Sequence, residues 1–329
     1  MMSHGFLKGM ATGAVVGMGV VLAVNPITEK DKKRLAKNTS KMFTTLGTVA
    51  NNIVDMYKSW KNGAMHRFIL IWVRYMKYAV LSFDDGRADT YEKAYKILKK
   101  YGLTATINAV TDFIAHPERY SDFASDGNKA MTAEQLIECQ KNGIEIACHG
   151  ATHQNTADDI LRNIREFQNM GISTEGIGFA SPNSYVTETT CDDVRALADK
   201  KIISYIRSGV RLERESFLYK ALTAVERITH SKFLFYILNK RNIESCKKDG
   251  ILKSVAVLKC TTPEQLIYFM EKMKDNDAVI FMFHSIIDKN CPYYTADKWC
   301  WDTARFEKLC AYLKKTGGIQ TVTTKDLLN

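Results

Sequence analysis

The chain has 329 residues, 46% of them hydrophobic and 25% charged, a globular make-up long enough for one large α/β domain with an appendage. Its net charge of +10 is uneven: residues 1–75 carry 11 Lys+Arg against 3 Asp+Glu, and the remainder 35 against 33. A basic flank on a nearly neutral body, with no zinc-finger spacing and no aromatic–basic strand motif, argues against nucleic acid and for an acidic membrane surface. The eight cysteines are scattered without a C-x-x-C pair. They read mostly as reduced core residues and lean towards a reducing compartment, with a Cys291–Cys300 disulfide as the alternative.

Residues 5–24 are rich in Gly, Ala, Val and Met, with Lys8 as their one charge. As a helix, Gly9–Val24 is about 24 Å long, short of the roughly 30 Å hydrocarbon core. Adding Gly5–Lys8, with Lys8 reaching the interface, brings 5–24 close to spanning. Gly9, Gly13 and Gly17 recur every fourth residue, a face suited to helix–helix self-association in lipid; a glycine-rich tail is the alternative. Lys30, Lys32, Lys33, Arg34, Lys37 and Lys41 come next, and by the positive-inside rule this flank leans towards the cytoplasm, the side of the membrane on which the following domain lies staying open. Residues 31–60 pattern as a basic amphipathic helix through Leu35, Met42, Leu46, Val49, Ile53 and Met56. This Gly-rich helix followed by a basic helix is similar to the small membrane-associated YtxH-like proteins. Residues 1–75 thus read as a membrane-associated extension, and 76–329 as a separate domain.

From residue 78 strand and helix signals alternate, which predicts a parallel α/β architecture. Strands are expected at 79–83, 104–109, 144–148, 176–180, 202–206, 253–258, 278–283 and 319–322. Helices are expected at 89–101, 132–142, 156–170, 187–200, 263–274 and 303–316, with a helical insertion at 213–247.

Four strand ends carry chemistry. Ala79–Phe83 delivers Asp84, Asp85 and then Gly86, which permits a sharp turn. Neighbouring strand residues face opposite ways, so one acid can bind a metal while the other abstracts a proton. His149-Gly150-Ala151-Thr152-His153 comes after the expected strand 144–148 and places two imidazoles four residues apart, within reach of one ion. By itself this spacing also fits a pair of surface or capping histidines. Phe179-Ala180-Ser181-Pro182-Asn183-Ser184-Tyr185 is a proline turn that can leave a backbone N–H facing a ligand, or an ordinary β-to-α turn. Val279–Phe283 is a buried-type strand ending in His284. Rims at strand C-termini are where parallel barrels build their sites.

In this order the four pieces resemble the polysaccharide deacetylase family, the NodB-homology carbohydrate esterases. Ser82–Gly86 matches its S-F-D-D-G motif and His149–His153 its paired-histidine motif. Phe179–Tyr185 is similar to its F-A-Y-P variant, and Met282-Phe283-His284 stands where the family has L-x-H. The likeness runs over roughly 78–328 and implies a distorted (β/α) barrel. It also implies a metal-dependent hydrolase that removes N-acetyl groups from an amino-sugar polymer or oligosaccharide. Asp85, His149 and His153 would hold a divalent ion, most simply Zn2+. Asp84 would be the general base, His284 the general acid, and the Asn183 N–H an oxyanion donor. Met282 would line the acetyl pocket.

Two departures stand out. Gly150 replaces a family Ser/Thr and is expected to loosen the histidine loop. Ala180-Ser181 stand where many members carry an arginine that orients the base; Arg207 is a candidate substitute, a solvated surface arginine being the alternative. Tyr293, Tyr294, Trp299 and Trp301 form either a sugar-stacking wall near His284 or the core of a loop. Two other functions are kept beside the main one: a deacylase for a small cytosolic amide, and a membrane-tethered scaffold with a decayed site.

Overall fold

A computed structural model describes residues 76–116, 129–187, 189–209, 217–245, 251–291, 294 and 298–328. The expectations placed on residues 1–75, including the Gly9/Gly13/Gly17 face, lie outside these, as does Tyr293. Among the described residues no helix is long and apolar enough to cross a membrane.

The strands are β1 (Lys77–Phe83), β2 (Thr106–Ala109), β3 (Glu145–Cys148), β4 (Phe179–Ala180), β5 (Ile206–Gly209), β6 (Glu244–Ser245), β7 (Ile251–Ala256), β8 (Asp277–Phe283), β9 (Ser285–Ile287), β10 (Cys300–Asp302) and β11 (Ile319–Thr321). Seven of them run parallel in the order β1-β2-β3-β4-β5-β7-β8, and β8 pairs back onto β1 from Tyr78↔Ala278 to Phe83↔Phe283. The result is a closed seven-stranded parallel barrel with helices outside, the distorted (β/α) type. The distortion is local: β4 has two residues and meets β3 only through Cys148↔Phe179. β11 lies beside the start of β1, and β6 runs antiparallel to the start of β8.

The helices are α1 (Lys96–Tyr101), preceded by a π-wound segment Thr90–Tyr95, then α2 (Thr111–Ala115), α3 (Ala133–Lys141), α4 (Ala157–Asn169), α5 (Asp192–Asp199), α6 (Phe217–Thr229), α7 (Lys232–Asn239), α8 (Pro263–Lys272) and α9 (Thr303–Lys315). Several starts are written in the sequence. Thr132 and Gln135 close a reciprocal capping box on α3, and Thr262 with Gln265 does the same on α8. Such caps satisfy backbone N–H groups that lack intrahelical partners, at about 1 kcal/mol each.

Alternation along β1 sorts its side chains. Ala79, Leu81 and Phe83 pack in the layer between barrel and helices, whereas Val80 joins Ala147, Tyr205, Leu252 and Ile280 in a second, smaller cluster. The β1–β8 closure is packed from outside by aromatic rings: Phe83 stacks on Phe283 at 5.4 Å and meets Phe306 edge-on at 5.6 Å. Each such pair adds about 0.5–1.5 kcal/mol beyond its buried area. Asp84 and His284 come directly after these two strands, so this packing also sets their spacing.

One expected strand is displaced and one pairing is new. The strand expected at 202–206 is Ile206–Gly209, because pairing with β7 (Ile206↔Ile251 to Gly209↔Ser254) recruits Ser208 and Gly209, which look like turn residues. The mostly helical insertion expected at 213–247 holds α6, α7 and the short strand β6 among its described residues. The two-stranded parallel pairing of β9 with β10 has no counterpart among the expected strands. The described cysteines are thiols, so no disulfide joins Cys291 to Cys300.

Candidate active site

The end of β1 supplies both acids, but not by alternation. Asp84 donates its N–H to the Phe283 carbonyl at 2.9 Å, which ties the ends of β1 and β8. Its buried carboxylate receives Arg207 Nη2 at 2.8 Å on Oδ1 and 2.7 Å on Oδ2, and Asn108 Nδ2 at 2.8 Å on Oδ1. Strand geometry would send Asp85 to the opposite face. Instead Asp85 adopts φ of 77°, in the left-handed region, and Gly86 comes next at 69°. A Cβ on Gly86 would meet the Ala109 Cβ at 2.9 Å, so only glycine completes this turn.

Turned this way, Asp85 Oδ1 lies 3.5 Å from His149 Nε2 and 3.7 Å from His153 Nε2. One ligand atom from each of the three residues lies within 4.8 Å of the others. His149 is 2% exposed and its Nδ1 is 2.8 Å from the Ala180 carbonyl. A carbonyl only accepts, so Nδ1 carries the hydrogen and Nε2 keeps its lone pair for the cluster. His153 sits at φ 62°.

Asp159 staples the histidine loop from α4. Its carboxylate accepts from Thr152 N–H (3.0 Å), the Thr152 hydroxyl (2.8 Å) and Gln154 N–H (3.1 Å). Gly150, at φ 82°, lies against it: an added Cβ would come 2.5 Å from Asp159 Oδ2 and 2.9 Å from Gln154 N and O. The expected loosening at Gly150 is therefore reversed. Here glycine is what lets the loop close on Asp159.

The proline turn joins through its neighbours. Ala180 holds His149, and Ser181 N–H bonds the Arg207 carbonyl at 2.8 Å. Asn155, from the end of the histidine loop, donates to the Pro182 carbonyl at 3.1 Å and accepts from Ser181 Oγ at 2.7 Å. Asn183 itself has φ 55° and an exposed side chain. His284 packs against Trp299 at 4.4 Å between ring centroids, and its Nδ1 has no hydrogen-bond partner among the described residues. Met282, the penultimate residue of β8, is 8% exposed. Of the aromatic residues in question, Trp301 is core, fully buried with its Nε1 donating to the Thr261 carbonyl, and Tyr294 is buried. Trp299 alone of the described three touches the site.

Charges in the cluster are strongly coupled. Burial raises the Asp84 pKa, but the Arg207 guanidinium and then the nearby histidines bring it below the ordinary carboxylate value. Asp85 is likewise depressed: burial opposes its ionisation, and the neighbouring His149, with His284 and the Arg87 guanidinium, outweighs it. His153 falls to about 4, through burial and the neighbouring His149. Burial also lowers His284, against the pull of Asp85 and Asp84. An ionised carboxylate, a neutral imidazole and a second imidazole with a free Nε2 are donors that fit a divalent first-row ion.

Sequence reasoning missed four groups. Asn108, a polar residue inside the buried strand Thr106–Ala109, is the one that left a signal. Asp159 and the Ala180 carbonyl left none. Arg87, buried, places Nη1 3.6 Å from Asp85 Oδ2, opposite the oxygen that faces the histidines.

Barrel and rim cluster together make an α/β-barrel domain with a candidate metal centre at the C-terminal ends of its strands. Residues 75–200 match the sequence profile of the family "Polysaccharide deacetylase". A curated relative is YxkH of Bacillus subtilis (strain 168), named provisionally as a polysaccharide deacetylase. It is 32% identical over 102 residues, 29% of this chain and 33% of that protein, so the match spans about a third of the relative's length. Solved structures with some likeness include the Xyl-CE4 domain of a multidomain xylanase from a Trinervitermes trinervoides hindgut metagenome (TM-score 0.40, 16% identity, 77% of this chain and 89% of that one). Peptidoglycan deacetylase PdaC from Bacillus subtilis is another (0.39, 16%, 77% and 90%). A third is BA3943, a CE4 family pseudoenzyme from Bacillus anthracis (0.43, 14%, 78% and 66%).

Proposed function

We propose that this protein hydrolyses N-acetyl groups from an amino-sugar polysaccharide or oligosaccharide, with a divalent ion, Zn2+ by preference, held by Asp85, His149 and His153. The observation that carries the reading is the convergence of those three side chains next to an aspartate gripped by a buried arginine. An ion bound there would polarise the acetamide carbonyl and acidify water. Asp84, kept ionised and aimed by Arg207 and Asn108, would take the proton from the attacking water. The Asn183 N–H, on a turn braced by Asn155 and by the Ser181–Arg207 bond, would donate to the oxyanion. His284, packed on Trp299, would give a proton to the leaving amine. The basic residues 1–75 stand, on sequence alone, as a tether for this domain.

The test is acetate release by the full chain, loaded with zinc, from chitin oligomers, peptidoglycan and small amides. Asp84→Asn should lose about 10²–10⁴-fold in turnover yet keep its metal, and Asp85→Asn should lose both. Release from small amides alone would favour the cytosolic deacylase reading. Absence of bound metal in the wild type would favour the scaffold.

A further inference from the structure

We propose that the outer face of α6 and α7 is a docking surface for an anionic lipid bilayer. The inference is independent of the deacetylase reading. Of the seven large hydrophobic side chains exposed among the described residues, five are Phe217, Leu218, Val225, Ile228 and Phe233, at 87%, 67%, 47%, 80% and 60%. They fall within 17 consecutive positions, counted from Phe217 to Phe233. Their placement on α6 is ordered. At about 100° per residue, Phe217, Leu218, Ala224, Val225 and Ile228 share an arc of about 120°.

The opposite side of α6 is spoken for. Glu226 is buried there and accepts from Gln265 Nε2 of α8 at 2.5 Å. Phe235 and Tyr236 of α7 pack on Phe269 of α8 at 6.2 and 5.6 Å. The helix pair thus has an inner face fastened to the barrel's helical layer and a separate apolar outer face. Single exposed apolar residues need no explanation, but a contiguous set on one face marks an interaction surface.

Charge identifies the partner. The exposed Lys, Arg, Asp and Glu side chains of residues 217–245 are Lys220, Arg227, Lys232, Lys240 and Arg241, all basic. The two acids of this stretch are withdrawn: Glu226 as above, and Glu244, whose Oε1 accepts from the Lys253 N–H at 2.8 Å. On α6, Lys220 and Arg227 border the apolar arc along one side. Large apolar side chains bordered by cations, with no exposed acid, form the pattern of helices that lie in the interface of an acidic membrane. The chain's other basic excess, in residues 1–75, has the same sign.

The test uses the full chain carrying Ile228→Trp, a substitution at an 80% exposed position that the fold should accept. Its spectrum is compared with that of the wild type. Added vesicles contain phosphatidylcholine with phosphatidylglycerol, or phosphatidylcholine alone, with brominated acyl chains. The expected result is a blue shift and quenching of the introduced tryptophan on the anionic vesicles, reversed by high salt. Phe217→Asp with Ile228→Asp should weaken partition about tenfold or more. A chain that sediments with vesicles while the introduced tryptophan stays unquenched is held by another segment, and overturns the proposal. So does equal quenching on neutral vesicles. A blue shift without lipid would show the face already covered, by a second copy if it grows with protein concentration and by this chain if it does not; either result overturns the proposal.

Discussion

At the scale of single residues the decisive contact is Arg207 on Asp84. A carboxylate at 3% exposure is costly to ionise, and a guanidinium at 2.7 Å makes ionisation the favoured state. Removing one partner of a buried pair leaves an uncompensated charge, at about 3–5 kcal/mol. Arg207→Met should therefore lose roughly that much stability in urea unfolding at pH 7. The folded pKa of Asp84 lies below its unfolded one, so the pair stabilises above the ordinary carboxylate pKa of about 4. That stability is lost as pH falls towards the folded value, and the gap between wild type and variant should narrow below about pH 4. For function, Arg207→Ala should cut turnover about 10–100-fold, the usual effect of losing a group that orients a site residue, with metal stoichiometry unchanged. Full turnover in the variant would reduce Arg207 to a structural role.

Among the elements, the loop between β3 and α4 decides whether two histidines become a metal site. Its backbone passes through the left-handed region at Gly150 and His153, and Asp159 holds the turn between them. Placing serine at position 150 would require φ near 82° and would press a Cβ against Asp159 and Gln154. A non-glycine residue in that region costs about 1–3 kcal/mol. Gly150→Ser should thus lower the melting temperature and weaken zinc binding about 10–100-fold, checked by calorimetry on the same preparation. A tighter or unchanged site would contradict the role given to Asp159. Strand β5 makes the same point about register: pairing with β7 settles an arginine left open between surface and site as a buried partner of Asp84.

For the molecule as a whole, a metal centre built from β1 and the β3–α4 loop couples ion binding to the barrel's stability. Free ion at about 100 times its dissociation constant stabilises by about 2.7 kcal/mol, or roughly 4–5 °C for a chain of this size. Zinc should raise the melting temperature by that amount, chelation should reverse it, and Asp85→Asn should abolish it. The imidazoles must be unprotonated to bind, so binding releases protons and affinity rises with pH. Asp84 and Asp85 raise the His149 pKa despite burial, so the loss of affinity should begin above the ordinary histidine range as pH falls. Titrations in buffers of different ionisation enthalpy measure that proton release directly. Since the described cysteines form no disulfide, a reductant should leave the melting temperature unchanged.

The βα alternation, the barrel class and the four strand ends that carry acids and histidines are all legible in the residue order. They rest on local patterns: apolar runs of strand length, capping residues such as Thr132 with Gln135, and glycine after a pair of aspartates. The same residue order leaves Arg207 as an open choice and points the wrong way at Gly150. Those two were resolved by the folded chain, because each depends on its neighbour across the fold: Asp84 across the barrel interior, and Asp159 on the next helix. The aspartate pair divides in the same way. Its position can be read from the chain, whereas the turn of Asp85 out of strand alternation, towards His149 and His153, comes from a left-handed backbone that no residue pattern announces.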